Sequence, residues 1–171
     1  MLIDFTDAQE SQRWIAINDD VMGGLSQSRI ELSPAATALF GGQLALENSG
    51  GFASIRRRAD NYNLNGCTGV MLKVKGDGRT YQFRVKTDER YDGIAYRTLF
   101  ATDNHDWQTL TLPFDRFSAS FRGKPVPGAP VLHPEQIRQI GFLLADKQPG
   151  SFCLEIAWIK SFLSNKNYVF S

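Results

Sequence analysis

A chain of 171 residues with 42% hydrophobic and 22% charged residues is long enough to bury a core and too apolar to be disordered. A formal net charge of +1 gives no electrostatic case for nucleic acid or an anionic membrane as principal partner. No apolar run approaches the roughly 20 residues needed for a transmembrane segment.

In chain order, Met1-Leu2-Ile3-Asp4-Phe5 meets an acidic residue too early for a secretory h-region, and no Arg-rich transit peptide precedes it. A cytoplasmic chain of bacterial origin is therefore expected. Thr6-Asp7-Ala8-Gln9 fits a capping box opening one or two helical turns that end before Trp14. Asn18-Asp19-Asp20-Val21-Met22-Gly23-Gly24-Leu25-Ser26 follows: turn formers, adjacent carboxylates and a glycine pair around an apolar step. Gly23 or Gly24 is expected at positive φ, where a Cβ would add strain. The commoner reading of this stretch is a tight turn whose acids bond their own amides. Cation binding through Asn18-Asp19-Asp20 is the rarer alternative, since no EF-hand spacing is present.

Strand-like alternation then dominates. It appears at Gly42 to Glu47 and at Phe52 to Arg58, where Arg56 and Arg58 share a face and Arg57 takes the other. Three arginines in a row usually mark a solvated sheet edge. In Val70 to Lys75 the even positions are apolar; after Gly76-Asp77-Gly78, Tyr81, Phe83 and Val85 alternate with Gln82, Arg84 and Lys86, which predicts a hairpin. Leu110, Leu112 and Phe114 share a face, as do Ile140, Phe142 and Leu144, and then Phe152, Leu154, Ile156 and Trp158. Asp115 to Glu135 carries Pro125, Pro127, Pro130 and Pro134 with no period, and reads as a long loop pinned or exposed through Phe117 and Phe121. Pro134 can open a brief helical turn through Arg138. Many short strands with turns between them read as a sandwich or barrel. No repeat, linker or βαβ alternation divides residues 1–171, so one domain is expected.

Five blocks in order carry a resemblance to a known family. They are Trp14 with Asn18 to Ser26; Gly50-Gly51-Phe52-Ala53-Ser54-Ile55-Arg56; Gly76-Asp77-Gly78-Arg79 with Tyr81; Trp107, Pro113-Phe114, Phe117 and Phe121-Arg122-Gly123; and Ile140-Gly141-Phe142 with Phe152 and Leu154. Together they resemble the complex I intermediate-associated protein 30 family. The resemblance implies a galactose-binding-like β-sandwich and a non-catalytic role in assembling respiratory complex I. With the period-two segments, it predicts an all-β, jelly-roll-like antiparallel β-sandwich with one or two short helical turns.

Catalytic signatures are missing from the sequence. Gly24-Leu25-Ser26-Gln27-Ser28 lacks the closing glycine of a nucleophile elbow. His105 and His133 stand beside loop residues, and neither a zinc pattern nor a phosphate-binding glycine loop occurs. A glycosidase pair drawn from Asp19, Asp20 and Asp77 is less favoured than acidic turns. No catalytic residue, metal or cofactor is expected. Cys67 and Cys153 are expected to be reduced thiols, at least one of them buried.

Two function classes remain. The first is a chaperone-like protein-binding module with an exposed apolar patch at Val21, Met22 and the Phe117 to Phe121 segment. If Arg56 or Arg58 shares a face with Arg84 and Lys86, a basic groove results, which Arg97 can join. Candidate binding residues are Asn18, Asp19, Asp20, Met22, Gly23, Gly24, Ser26, Arg56, Arg84, Tyr96, Arg97, Phe117, Phe121 and Arg122. The second class is a carbohydrate-binding module using Tyr91, Tyr96 and Trp107. Tyr81, Phe83, Trp14 and Trp158 are assigned to the core, which leaves few aromatics for an oligosaccharide platform. Protein binding, with complex I subunits or assembly intermediates as partners, is preferred.

Overall fold

The structure is a computed structural model that describes residues 1–48, 50–90 and 92–163; the side chains of Val21 and Met22 lie outside the description. The strands are β1 (Ile3–Asp4), β2 (Trp14–Asn18), β3 (Gln27–Leu32), β4 (Ala38–Leu44), β5 (Ala53–Arg57), β6 (Gly69–Asp77) and β7 (Thr80–Lys86). They continue as β8 (Ala95–Ala101), β9 (Asn104–Pro113), β10 (Ser118–Phe121), β11 (Lys124–Pro125), β12 (Gln139–Leu144) and β13 (Gly150–Phe162). Helix among the described residues is confined to short 3-10 turns at Glu10–Arg13, Asp19–Met22, Phe114–Arg116 and Pro134–Gln136. None is long and apolar enough to cross a membrane.

All pairings are antiparallel. One sheet runs β3-β4-β13-β6-β9, with β1 added to β13; the second runs β11-β10-β8-β7-β12-β5-β2. Alternation sends one face of each sheet inward. Phe40, Leu72, Val74 and Leu154 from the first sheet meet Tyr81, Phe83, Ile140 and Phe142 from the second, all essentially inaccessible to solvent. Edge-on ring pairs interlock this core, Phe40 with Phe152 at 5.1 Å and Phe83 with Phe142 at 5.3 Å between centroids. Such pairs add about 0.5–1.5 kcal/mol each beyond the area they bury. The expected β-sandwich is therefore present.

Local expectations differ in several places. β6 and β7 are strands, but they do not form a hairpin: β6 pairs with β9 and β13, β7 with β8 and β12. Gly76-Asp77-Gly78 instead carries the chain from one sheet to the other. Gly76 passes so close to Thr102 that a Cβ would lie 2.2 Å from its side chain. Second, the segment from Asp115 to Glu135 is not one aperiodic loop, because β10 and β11 form a hairpin through Arg122-Gly123 that extends the second sheet. Third, β13 bulges between Ile156 and Trp158, which moves Ile159 into the core and leaves Trp158 only half-buried. Fourth, β5 is no edge: it lies between β12 and β2, and Arg57 is buried. Fifth, the predicted capping box gives only the Glu10–Arg13 turn, with Asp7 Oδ1 accepting from the Gln9 amide. Neither cysteine is fully buried; Cys67 is half-buried, Cys153 exposed, and both are free thiols.

Candidate functional site

Antiparallel pairing in the second sheet places residues on its outward face in rows that cross the strands. The central row reads Ser118, Arg97, Arg84, Gly141, Arg56, Ile15, one residue from each of β10, β8, β7, β12, β5 and β2. The neighbouring row holds Leu99, Gln82, Leu143, Ser54 and Ile17. Lys86 pairs with Gln139 on the other side of the arginines. The polar half of β7 thus faces a groove rather than open solvent: Gln82 is 6% and Lys86 4% exposed.

The groove has a volume of about 780 Å³. Arg56, Arg84, Lys86, Arg97, Arg122 and Lys147 line it, and Asp92 is the only carboxylate among the described lining residues. Asp92 is already engaged at the rim, where Arg122 donates to it at 2.6 Å. Lys86 Nζ donates to the Arg90 carbonyl at 2.8 Å, and burial followed by the charge of Arg56 holds its pKa below the usual lysine range. Arg84 donates to Gln82 Oε1 at 3.0 Å. Burial, then the charges of Arg97 and Arg56, pushes the Arg84 pKa down to about 10. Arg97 directly opposes Arg84 in register, an arrangement of like charges that destabilises a sheet.

The Asn18 to Ser26 stretch forms the neighbouring edge of the sandwich, where β2 of the second sheet hands the chain to β3 of the first. Asp19 is 0% exposed. Its carboxylate accepts from Ser26 N at 2.9 Å, Ser26 Oγ at 2.6 Å, Gly51 N at 2.7 Å and Phe52 N at 3.2 Å. Burial alone would raise its pKa, but the Ser26 hydroxyl and these amides outweigh it and hold the carboxyl below its usual range. Asn18 Oδ1 accepts from Ser28 Oγ at 2.5 Å and Ser54 N at 3.2 Å, which ties the two sheets together. Gly23 has φ +89°, as expected for one of the pair. Gly24 does not; it is small for another reason, since a Cβ there would lie 2.4 Å from Asp19 Cγ. Asp20 and Gly23 are exposed. The proposed patch at Val21 and Met22 lies outside the described side chains. No group of His, Cys, Asp or Glu among the described residues is arranged to hold a metal ion.

The aromatic candidates do not converge. Tyr96 is buried in the core, its hydroxyl donating to the Pro130 carbonyl at 2.6 Å. Phe117 packs on the core against Phe114 and Phe83. Phe121 is 39% exposed beneath the Arg122 guanidinium at 5.2 Å. Trp107 belongs to β9 in the other sheet, beneath the ammonium groups of Lys73 and Lys75. Tyr91 lies outside the described residues. Sequence reasoning brought Arg56, Arg84, Lys86 and Arg97 together but missed Gln82, Gln139, Gly141 and Lys147 as their neighbours. It also missed the buried pair in which Arg57 donates to both oxygens of Glu10, at 2.8 and 3.0 Å. Trp14 completes that cluster through its indole N–H at 2.9 Å.

Comparison with known proteins adds the following. A family model described as Complex I intermediate-associated protein 30 matches residues 3–156. Two proteins named Complex I intermediate-associated protein 30, mitochondrial, are similar: that of Mus musculus at 30% identity and that of Drosophila melanogaster at 26%. The matches cover 92% and 93% of this chain but 54% and 61% of those proteins, so the chain spans little more than half their length. Among solved structures, a family 11 carbohydrate-binding module of Clostridium thermocellum, in complex with a β-1,3-1,4-mixed-linked tetrasaccharide, superposes with a TM-score of 0.71. It is 17% identical, with 96% of this chain and 95% of that module covered, a likeness of fold. The expectation of a cytoplasmic protein is overturned, because these relatives are named as mitochondrial. That expectation rested on the first residues alone, and they do not decide where such a domain resides.

Proposed function

Since the chain belongs to the complex I intermediate-associated protein 30 family, we propose that it is a non-catalytic protein-binding domain acting in the assembly of respiratory complex I, with the groove of the second sheet as its contact surface. The observation that carries the reading is the lining of that groove. It offers planar and charged hydrogen-bond donors on a rigid sheet, and the aromatic candidates with described side chains, Tyr96 and Trp107, lie in the core and on the other sheet. Arginine on a preformed surface is among the residue types that dominate protein interfaces, whereas sugar recognition of this fold was expected to need flat rings beside paired polar groups. What supports a chaperone-like hold on an assembly intermediate is the same surface, with the short end hairpin β10-β11 carrying Phe121 and Arg122 beside it.

Affinity capture from the source organism tests this. Recovery of identified complex I subunits by the wild-type chain, reduced by groove substitutions, is the expected outcome. Recovery of none, together with saturable binding of the mixed-linked tetrasaccharide, would transfer the assignment to carbohydrate binding.

A further inference from the structure

The row Arg97, Arg84, Gly141, Arg56 has a geometry more specific than a basic surface. We infer that it is a double carboxylate subsite, and that it selects an extended polypeptide segment with acidic side chains at alternate positions. This deepens the protein-binding reading and rests on it.

The argument starts from the backbone. Neighbouring strands lie about 4.8 Å apart, so Arg97 and Arg84 are adjacent in the row, and Arg56 stands about 9.6 Å beyond Arg84. Gly141 occupies the intervening strand and leaves a notch between two guanidinium-bearing positions. A side chain is excluded there, because a Cβ would lie 2.7 Å from the Ile55 carbonyl oxygen. One carboxylate fits between Arg97 and Arg84, and a second fits over Gly141 between Arg84 and Arg56. Those positions are about 7 Å apart, and alternate side chains of an extended chain recur every about 6.8 Å. A segment running across the strands therefore meets the row with every second residue.

The chemistry agrees with the spacing. A guanidinium presents a planar fork that matches a carboxylate, and the bonds are charge-assisted. The Arg97 side chain makes no hydrogen bond or ion pair with any described residue, and the Arg84 guanidinium has only the neutral Gln82 Oε1 as an acceptor. The Arg122–Asp92 pair at the rim shows what an internal carboxylate does in this groove; none of the described residues supplies one to the floor. An arriving acidic segment supplies Arg97 and Arg84 with the counter-charge that no described residue gives them, at a site already built and partly desolvated.

The test is fluorescence anisotropy with the labelled peptide Ser-Glu-Ser-Glu-Ser and its Ser-Gln-Ser-Gln-Ser counterpart, at low and raised salt. The acidic peptide is expected to bind at least tenfold more tightly than the neutral one and to weaken with salt. Arg97→Gln and Arg84→Gln should each weaken it at least fivefold, with thermal melts confirming that both variants fold. Lys160→Gln, in the first sheet over Trp158, should change it less than twofold. Equal binding of the two peptides, or equal loss in Lys160→Gln and Arg97→Gln, would overturn the subsite. So would binding of the mixed-linked tetrasaccharide that is lost in Arg84→Gln without any binding of the acidic peptide. Affinity capture separates the two proposals. Capture of complex I subunits that is unchanged by Arg97→Gln sinks the subsite and leaves the assembly reading. Peptide binding without capture of any such subunit does the reverse.

Discussion

Asp19→Ala removes one carboxylate and strands the groups that converge on it. Of its donors, Ser26 Oγ keeps a second acceptor, the Ala45 carbonyl at 3.0 Å, but the amides of Ser26, Gly51 and Phe52 have Asp19 as their acceptor. A buried unsatisfied donor costs about 1–3 kcal/mol, and the half-buried Gly51 and Phe52 amides recover part of that from water. The loss should total about 3–5 kcal/mol. For a chain of this size each kcal/mol moves the melting temperature by about 2–4 °C, so a fall near 10 °C is expected. Asp19→Asn keeps the volume but turns an amide NH2 toward donors, and should lose about 2–3 kcal/mol. Thermal unfolding followed by circular dichroism at neutral pH reads both. A melting temperature within 2 °C of wild type for Asp19→Ala would refute the view that this carboxylate holds the β2-to-β3 crossing together.

Gly24→Ala should destabilise by about 2 kcal/mol or more, because its Cβ falls on the Asp19 carboxyl group, which can move aside only by giving up its bonds to Ser26, Gly51 and Phe52; a silent substitution in a urea melt would count against that packing. Glu10→Ala leaves the buried Arg57 with only the exposed Asp60 carboxylate at 3.3 Å and the Tyr62 hydroxyl, and should cost about 3 kcal/mol, while Glu10→Leu with Arg57→Met should recover most of it; equal melts for the two would contradict the pairing. Arg84→Met should raise stability by about 1 kcal/mol while abolishing acidic-peptide binding, since it relieves a half-buried charge opposed by Arg97; a lower melting temperature would show that Arg84 serves the fold instead. Acid should destabilise the protein through Asp19 and Glu10, whose folded pKa values lie below the ordinary 3.8 and 4.5. Their stabilisation is present above those ordinary values and is lost as pH falls through the lower folded ones. Asp19→Asn should therefore flatten the curve below about pH 4 relative to wild type.

The alternation in Val70 to Lys75, Tyr81 to Lys86 and Ile140 to Leu144 revealed the strands and their buried faces, because side-chain period is a property of the strand alone. Partnership is not. Gly76-Asp77-Gly78 looks the same whether it closes a hairpin or crosses between sheets; what decides is Thr102 packed against Gly76, a contact from another strand. The bulge that displaces Trp158 is likewise set by the fit of β13 to β6. The groove was half legible. Arg84 and Lys86 were visibly on the polar face of β7, but a polar face reads identically in sequence whether it meets water or a groove. Gly141 stood in the fifth family block but gave no sign of its place in the groove, since its role there is the absence of a side chain between two arginines brought in from other strands. Arg57 was assigned to solvent because its acidic partner, Glu10, stands 47 positions away in sequence.

Site-specific photo-crosslinking from the groove floor tests the central claim most directly. Leu143 sits in the row beside the arginines, and Thr109 on β9 of the other sheet serves as the comparison. A photoreactive phenylalanine analogue at position 143, irradiated in the native organism, should form a covalent adduct with an identified complex I subunit or assembly intermediate, lost when Arg84 and Arg97 are both glutamine. An adduct to the same subunit from position 109 but none from position 143 would contradict the claim that the groove is where this domain binds.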